Sequence, residues 1–486
     1  MQRTPIRRVE HLLRRAGFGA RRDEVDVFHD ASLNEAITAL VEYESIPDDV
    51  DANIGKAGFL GITTRGAFSP RTNIVDARQR WVFRMVHSDR PLQEKMTLFW
   101  HNHFATGYTK IAGTIGAAEA TRYMAAKASE DPGRVRGQIE MLRDNALGNF
   151  RDILVNIAKD TAMLVWLDGR TNTKAKPQEN FAREIMELFT MGVGNYTEPD
   201  VYAGARVFTG WNLTTTGGAV GGAQHQEFFY NASQHDTEPK TFSFPIYADG
   251  NNTIPRRSAS DGMQDGLDFI NALAANPNTG RYLAKKIFRF FVSEFRDPDP
   301  AFVERIAGVY LSSRNDMRAV MREVLMSSEF WDPASIWSRY SWPVEFIVRA
   351  LKDVGWSGFS ADTTLTPMSN MGLTLYDPPD VSGWNAGQTW FSSGAMLARM
   401  NFASTLAANQ KFLLAGASKS VAQTARGFLA HFMSELASAP IDSEVSNEWL
   451  TYLTATGAWT GNDTQLQSKA PGLVHLIAGS PEYQFQ

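Results

Sequence analysis

Apolar residues recur at helical spacing over most of this chain. In the segment 92–103, Phe99 and Trp100 follow Met96 by three and four residues, a spacing typical of amphipathic helices that cover a core. The same pattern predicts that the helical series ends at residue 452. Helices are predicted over 8–17, 32–43, 76–88, 92–103, 114–129, 136–149, 150–159, 179–187, 261–275, 279–293, 302–312, 317–326, 342–354, 393–410, 421–436 and 443–452.

The pattern changes after residue 207. Three short segments, 207–214, 227–230 and 241–246, are aromatic and β-branched, and Gly-, Asn- and Ser-rich turns separate them. They indicate a small antiparallel β insertion at about 205–260, with a flexible glycine-rich tip at 217–224. We therefore predict a mainly α fold, a large multi-helix single body with a small antiparallel β insertion. The body would span 1–405, and 406–486 would be a C-terminal helical extension packed on it.

Composition narrows the classes of function. Among 486 residues there is no cysteine, which excludes disulfides, thiolate metal sites and a cysteine nucleophile. The 48 basic and 53 acidic residues give a net charge of -5, which does not favour nucleic acid or an anionic membrane as a partner. No uncharged apolar stretch is long enough to predict a membrane span. The first 20 residues show no signal sequence, so the expected location is cytoplasmic as written, or exported if a leader was trimmed.

The first candidate for chemistry is the segment 100–104, Trp-His-Asn-His-Phe. His101 and His103 are two residues apart, which places them on one side of a strand but about 160° apart around a helix. They could share a divalent metal, with Glu184 as a further ligand, only if the helix ends near Trp100. Imidazole pairs suit Zn, Cu, Fe or Ni. The alternative is that one histidine bonds within the core while the other is exposed.

The second candidate is the helix at 179–187, in which charged and amide side chains alternate with apolar ones. Asn180, Glu184 and Glu187 share one face, and Arg183 lies on a neighbouring face. One interpretation is a salt-bridge ladder on a solvated surface. In the other, Glu184 points inward as a general base or ligand, steered by Arg183 or Asn180, both of which would also bind substrate.

Two loops supply further candidates. His235 and Asp236 stand together in the polar segment after residue 230, where they could act as an acid/base pair or form a simple turn. The loop 376–385 contains two prolines, Asp380, Gly383 and Trp384, and Trp390 follows it. Prolines fix such a loop, and its aromatic rings could line a pocket or plug the core.

In order along the chain, these segments resemble the bacterial domain of unknown function 1800 family. The resemblance covers roughly residues 8–405, and the stretch after 405 matches less clearly. Members look mainly helical, many carry export signals, and their genes lie beside those of a sulfatase-like family, which implies a possible protein partner. The matching segments are 11–19, 95–104, 179–194, 196–211, 235–236, 284–291 and 378–384.

These observations favour a hydrolase in which Glu184, His235 and Asp236 are catalytic. His101, His103 and Glu184 would hold one divalent metal that activates water, or carboxylates would act alone, as in glycan hydrolysis. Trp211, Trp384, Trp390 and Asp380 would help to bind a small-molecule or glycan-like substrate. The first alternative is a non-catalytic scaffold or partner protein whose polar motifs form a buried network. The second is a metal-dependent oxidoreductase.

Overall fold

Helices make up most of the protein, which confirms the predicted mainly α fold. The computed structural model describes residues 6–28, 30–217, 224–436, 439–455 and 457–486, so residues 218–223 of the predicted tip lie outside the described ranges. The described helices are α1 Ile6–Ala16, α2 Arg22–Val27, α3 Leu33–Val41, α4 Ile74–His87, α5 Pro91–His103, α6 Tyr108–Ile115, α7 Ala117–Ala125, α8 Gln138–Asp144, α9 Phe150–Lys159, α10 Thr161–Trp166, α11 Glu179–Glu187, α12 Glu198–Val207, α13 Met263–Ala275, α14 Pro277–Ile287, α15 Pro300–Ser312, α16 Met317–Met326, α17 Ser328–Trp331, α18 Pro343–Val354, α19 Asp362–Asn370, α20 Ser393–Asn409, α21 Lys411–Ser418, α22 Ala425–Glu435, α23 Ser443–Thr454 and α24 Asp463–Ala478.

The β insertion consists of two small antiparallel sheets. Strand β1 (Trp211–Thr216) pairs with β2 (His225–Tyr230), with Trp211 opposite Tyr230 and Thr216 opposite His225. Strand β3 (Lys240–Thr241) pairs with β4 (Thr253–Ile254). The insertion therefore lies where the aromatic and β-branched segments predicted it, between α12 and α13.

Local chemistry explains where the helices that matter for the site begin. Helix α5 starts at Pro91 and α14 at Pro277, the position where the missing N–H of proline costs nothing. Asn276 caps α14 because its side-chain oxygen accepts a hydrogen bond from Asn278 N at 2.9 Å. A π-helical turn, Phe288–Val292, follows α14 directly. Such turns add a residue to the helix and shift the side chains that come after it.

One apolar core joins the elements into a single body, as predicted. The cluster of buried apolar side chains runs from Val9 in α1 to Tyr483 near the end of the chain, and it includes Trp100, Trp211 and Trp342. Helix α24 packs against α20 and α21. Because α20 runs from Ser393 to Asn409, the boundary proposed at residue 405 falls inside a helix.

The prediction that the helical series ends at residue 452 is wrong, since α24 follows it. This helix contains Pro471 and few large apolar residues, which hides its period in the sequence. Its buried side chains include Leu466, Leu473 and Ile477. The predicted helix at 114–129 is also interrupted, because Gly116 adopts φ +90 between α6 and α7. Among the residues that the structure describes, no helix is both long and apolar enough to cross a membrane.

Candidate functional site

Three of the sequence motifs meet at the C-terminal end of α5. Asn102 accepts a hydrogen bond through Oδ1 from the backbone N–H of Trp384, at 2.7 Å. The next residue, His103, places its Nε2 3.0 Å from the backbone oxygen of Phe189, just after α11. The segment 100–104 therefore joins the proline-containing loop to the helix that carries Glu184.

His101 lies in an aromatic environment. Its ring centroid is 5.3 Å from that of Trp384 and 5.5 Å from that of Trp81, and the residue is fully buried. Neither ring nitrogen has a hydrogen-bond partner among the described residues. Burial lowers the pKa of the imidazole to about 3, so the ring is neutral at physiological pH.

His103 lies in a different environment. Its ring packs against Phe104 at 4.5 Å and lies 6.4 Å from the ring of Tyr282. Burial, with a smaller contribution from the charge of Lys286, holds its pKa well below the usual range. Because α5 stays helical through His103, the two imidazoles diverge, and the condition for a shared metal is not met. In the described part of the chain, no group of three His, Asp or Glu residues is placed to hold a metal ion.

Glu184 is a carboxylate without a donor. It is half-buried on α11, and among the described residues no side chain or backbone N–H hydrogen-bonds or ion-pairs with its side chain. Burial raises its pKa to about 7, and the neighbouring charge of Glu187 adds to this, while Arg183 acts in the opposite direction. A carboxyl group with this pKa exists in both protonation states at neutral pH, which is what proton transfer in catalysis requires.

The two polar neighbours predicted to steer Glu184 have other partners. The guanidinium of Arg183 forms two hydrogen bonds with the exposed carboxylate of Glu198, at 2.7 and 2.8 Å. Asn180 is exposed and donates from Nδ2 to Asp168, at 3.3 Å. Both side chains therefore belong to the surface around the helix.

Three residues outside the predicted site, Tyr196, Tyr282 and Lys286, extend from Glu187 along α14. Tyr196 donates a hydrogen bond from its hydroxyl to Glu187. Burial raises the pKa of Tyr282 on α14 to about 12, and the charge of Glu187 contributes. Lys286 places its Nζ 5.4 Å from the centre of the Tyr282 ring. The spacing of Tyr282 and Lys286, four residues apart on one helix, was the signal available in the sequence.

Lys286 differs from Lys95 and Lys240, two lysines that are fully buried. Lys95 pairs with Glu345 and Lys240 with Asp265, whereas Lys286 has no hydrogen bond or ion pair among the described residues. Burial lowers the pKa of its ammonium to about 8. It therefore remains mainly a cation at neutral pH.

His235 and Asp236 lie in the β insertion, each with fixed partners. His235 is buried, with Nδ1 2.8 Å from the backbone oxygen of Thr209 and Nε2 3.2 Å from Asp265. Asp265 also binds Lys240 at 2.6 Å and Arg257 at 2.8 Å.

Asp236 accepts two hydrogen bonds from the guanidinium of Arg206, at 2.7 and 3.1 Å. Burial alone would raise its pKa, but Arg206 holds the pKa below the usual range. The described contacts of this histidine and aspartate are with residues of the insertion, α12 and α13, and none is with Glu184.

The three predicted substrate-binding tryptophans are buried. Trp211 packs against Phe208 and Phe228, each at 5.2 Å between ring centroids. Trp390 packs against Trp342 at 5.6 Å, and Trp384 covers His101. Each is at most 5% exposed, so these rings contribute to core packing and offer no open face. Asp380 is exposed and accepts a hydrogen bond from Ser382 N at 2.8 Å within its own turn.

The fold defines a mainly helical protein with a β insertion and an unpaired carboxylate near the surface. The family profile described as "Protein of unknown function (DUF1800)" matches residues 11–485, so the chain belongs to this family. The match runs past residue 405 into the C-terminal helices. Comparisons with curated proteins and with solved structures found no match.

Proposed function

We propose that the protein is a hydrolase in which Glu184 donates a proton to the leaving group. The observation that carries this proposal is the half-buried, donor-free carboxylate whose pKa lies at about 7. A solvated glutamate titrates near 4.3 and is a poor acid at neutral pH. A glutamate shifted to neutrality can deliver a proton and take it back within one catalytic cycle.

Glu187 is the second carboxylate of the proposed reaction. It lies three residues from Glu184, on the next turn of α11, and the Tyr196 hydroxyl holds it. In hydrolysis Glu187 would accept a proton from water while the water oxygen bonds to the substrate carbon. The bond to the leaving oxygen breaks as Glu184 protonates that oxygen, so one water is consumed. This division of roles between two carboxyl groups is the one used in glycoside hydrolysis.

A glycan-like polar substrate agrees with this pair, which needs no cofactor for its two proton transfers. The role first given to His235 and Asp236 passes to Glu187. Both of those residues have fixed partners: His235 lies 3.2 Å from Asp265 of α13, and Asp236 binds Arg206 of α12.

The test is a hydrolysis screen followed by matched variants. Polysaccharides with reducing-end detection, chromogenic glycosides and esters would be offered to the full chain. For any substrate found, Glu184→Gln should lower kcat by about 10²–10⁴-fold, the usual contribution of a general acid. Glu179→Gln, an exposed position on the same helix whose carboxylate lies 3.5 Å from Arg183, is the control and should leave the rate unchanged.

Activity retained in folded Glu184→Gln protein would sink the assignment. So would a complete failure to hydrolyse any substrate in the screen. Activity lost equally in the control would point to a general effect on α11 in place of proton transfer.

A second candidate function is that of a non-catalytic partner protein, such as one for the sulfatase-like family suggested by resemblance. The observation in its favour is that several polar side chains of the sequence motifs have buried partners. Among them, His235 contacts Asp265 and Lys95 binds Glu345. In this case Glu184→Gln would change neither activity nor partner binding.

A further inference from the structure

A surface cavity of about 310 Å³ opens beyond the end of α14. It is lined by Arg289 from the π-helical turn, by Glu294, Phe295, Arg296 and Asp297 from the segment that follows, and by residues 386–387 of the loop after Trp384. This volume lies in the range of small-ligand sites. The cavity adjoins the loop that sequence analysis selected as pocket-lining, yet none of the predicted tryptophans forms it.

Phe295 gives the cavity an exposed aromatic surface. The side chain is 55% exposed, although it is large and apolar. Tyr340 and Phe485 support the ring, at 5.0 and 5.6 Å between centroids. A supported ring with a free face is suited to the C–H face of a sugar, because both surfaces lose water on contact.

Arg289 provides a charged group at the same place. Its guanidinium is 61% exposed and bonds at 2.8 Å to Asp297, which is 82% exposed. An ion pair open to solvent contributes little free energy. A carboxylate of a ligand can therefore replace Asp297 and bind the guanidinium through two parallel hydrogen bonds.

Residues of α14 and the π-helical turn extend from this cavity toward Glu187. Tyr282 and Lys286 are about one turn apart on α14, and Arg289 follows inside the π-helical turn. At roughly 1.5 Å per residue, the distance along the axis from Tyr282 to Arg289 is about 10 Å. Tyr282 at one end feels the charge of Glu187, and Lys286 has no carboxylate partner among the described residues.

We propose that the Phe295 cavity binds an acidic sugar residue of a uronate-bearing glycan. The sugar ring lies on Phe295, its carboxylate binds Arg289, and Lys286 binds the next carboxylate along the chain toward Glu184. This identifies the substrate class of the proposed hydrolase. The direction in which the glycan chain runs rests on the proposed function, whereas the cavity is observed independently of that function.

Calorimetric titration of the full chain tests the proposal. The probes are tetrasaccharides of galacturonate and mannuronate and a hyaluronan tetrasaccharide, each beside its methyl ester, which keeps the ring and removes the charge. At least one acidic probe should bind. Its ester lacks the carboxylates that bind Arg289 and Lys286, so it should bind about a hundredfold more weakly, the loss of about 2.8 kcal/mol expected for two charge-assisted contacts.

Matched variants locate the binding. Phe295→Ala and Lys286→Met should each weaken binding about tenfold, equivalent to about 1.4 kcal/mol. Lys285→Met changes the adjacent, exposed lysine, and Phe412→Ala removes a ring that is 65% exposed on α21, so both should bind like the wild type. Unchanged thermal unfolding would show that the variants are folded.

Three outcomes overturn the proposal: no binding of any acidic probe, binding that Phe295→Ala leaves intact, or equal binding of polyglutamate. The last would show attraction by charge alone. Glu184→Gln should bind the probes as the wild type does. Binding without hydrolysis would therefore contradict the proposed function but support the cavity as a binding site. Hydrolysis together with binding that does not depend on Phe295 would support the proposed function but contradict the cavity as the binding site.

Discussion

Two carboxylates, Glu345 and Glu184, show how differently this fold treats acidic groups. Glu345 is fully buried and binds Lys95, Arg339 at 3.0 Å and the backbone N–H of Trp342 at 2.9 Å. Burial alone would raise its pKa, but Arg339 and Lys95 hold the pKa at about 2. Glu184 is only half-buried, yet it has no donor among the described residues and its pKa is raised to about 7.

The comparison separates structural charges from candidates for function. A second buried cluster behaves like that of Glu345: Glu94 binds Arg84 at 2.7 Å and Arg143 at 2.8 Å. Fully buried charges persist because partners compensate for lost hydration. A partly exposed carboxylate without such partners stores no comparable stability, which makes it a candidate for function.

The largest expected effect is on Glu345. Glu345→Gln leaves Lys95 and Arg339 buried without a negative partner, so unfolding free energy should fall by about 3–5 kcal/mol, measured by urea denaturation at pH 7. Since the folded pKa lies below the unfolded one, the wild type loses this contribution as pH falls from about 4.5 toward 2. Glu304→Gln, at the exposed partner of Arg281, is the control and should cause only a very small loss of stability. An equally small loss of unfolding free energy in Glu345→Gln would contradict the contrast between Glu345 and Glu184.

Glu184→Gln should have a smaller effect on stability, of the opposite sign. The folded protein binds the Glu184 proton more tightly than the unfolded chain, so this group costs stability as pH rises from about 4.5 to about 7. Glutamine removes that cost. At pH 8 the variant should be more stable by about 1 kcal/mol, a value reduced for screening at a partly exposed site, and at pH 4 the two proteins should match. Thermal or urea unfolding at both pH values measures this, and a variant destabilised at pH 8 would assign Glu184 to a structural role.

The smallest expected effect concerns Arg183. Its pair with the exposed Glu198 is screened by solvent, so Arg183→Ala should leave the unfolding curve nearly unchanged. Because Arg183 lowers the pKa of Glu184, its removal should move that pKa further upward. If the pKa of Glu184 is the same in the variant and the wild type, the charge of Arg183 does not influence Glu184.

The sequence predicted the fold class because the apolar period of each long helix depends mainly on local residues. The helix 179–187 and the strands near 211–230 were found in this way, whereas α24 was missed because Pro471 and small side chains obscure its period. The domain boundary at 405 followed the extent of the family resemblance, and α20 runs across that position.

The site was only partly predictable for a related reason. The spacing within α11 selected Glu184, and the described structure leaves that carboxylate without a donor. The sequence did not reveal that Asp265 would bind His235 or that Arg206 would bind Asp236, because these partners come from other segments of the chain. Lys286 was not among the predicted site residues, since its position beside Tyr282 is visible only after packing.

A direct titration of Glu184 would test the central claim. Protein labelled with ¹³C at glutamate side-chain carboxyls would be titrated by NMR, with Glu184→Gln used to assign the resonance. We expect a midpoint of about 7. A midpoint near 4.3, the value of a solvated glutamate, would contradict the account and return Glu184 to the surface charges of α11.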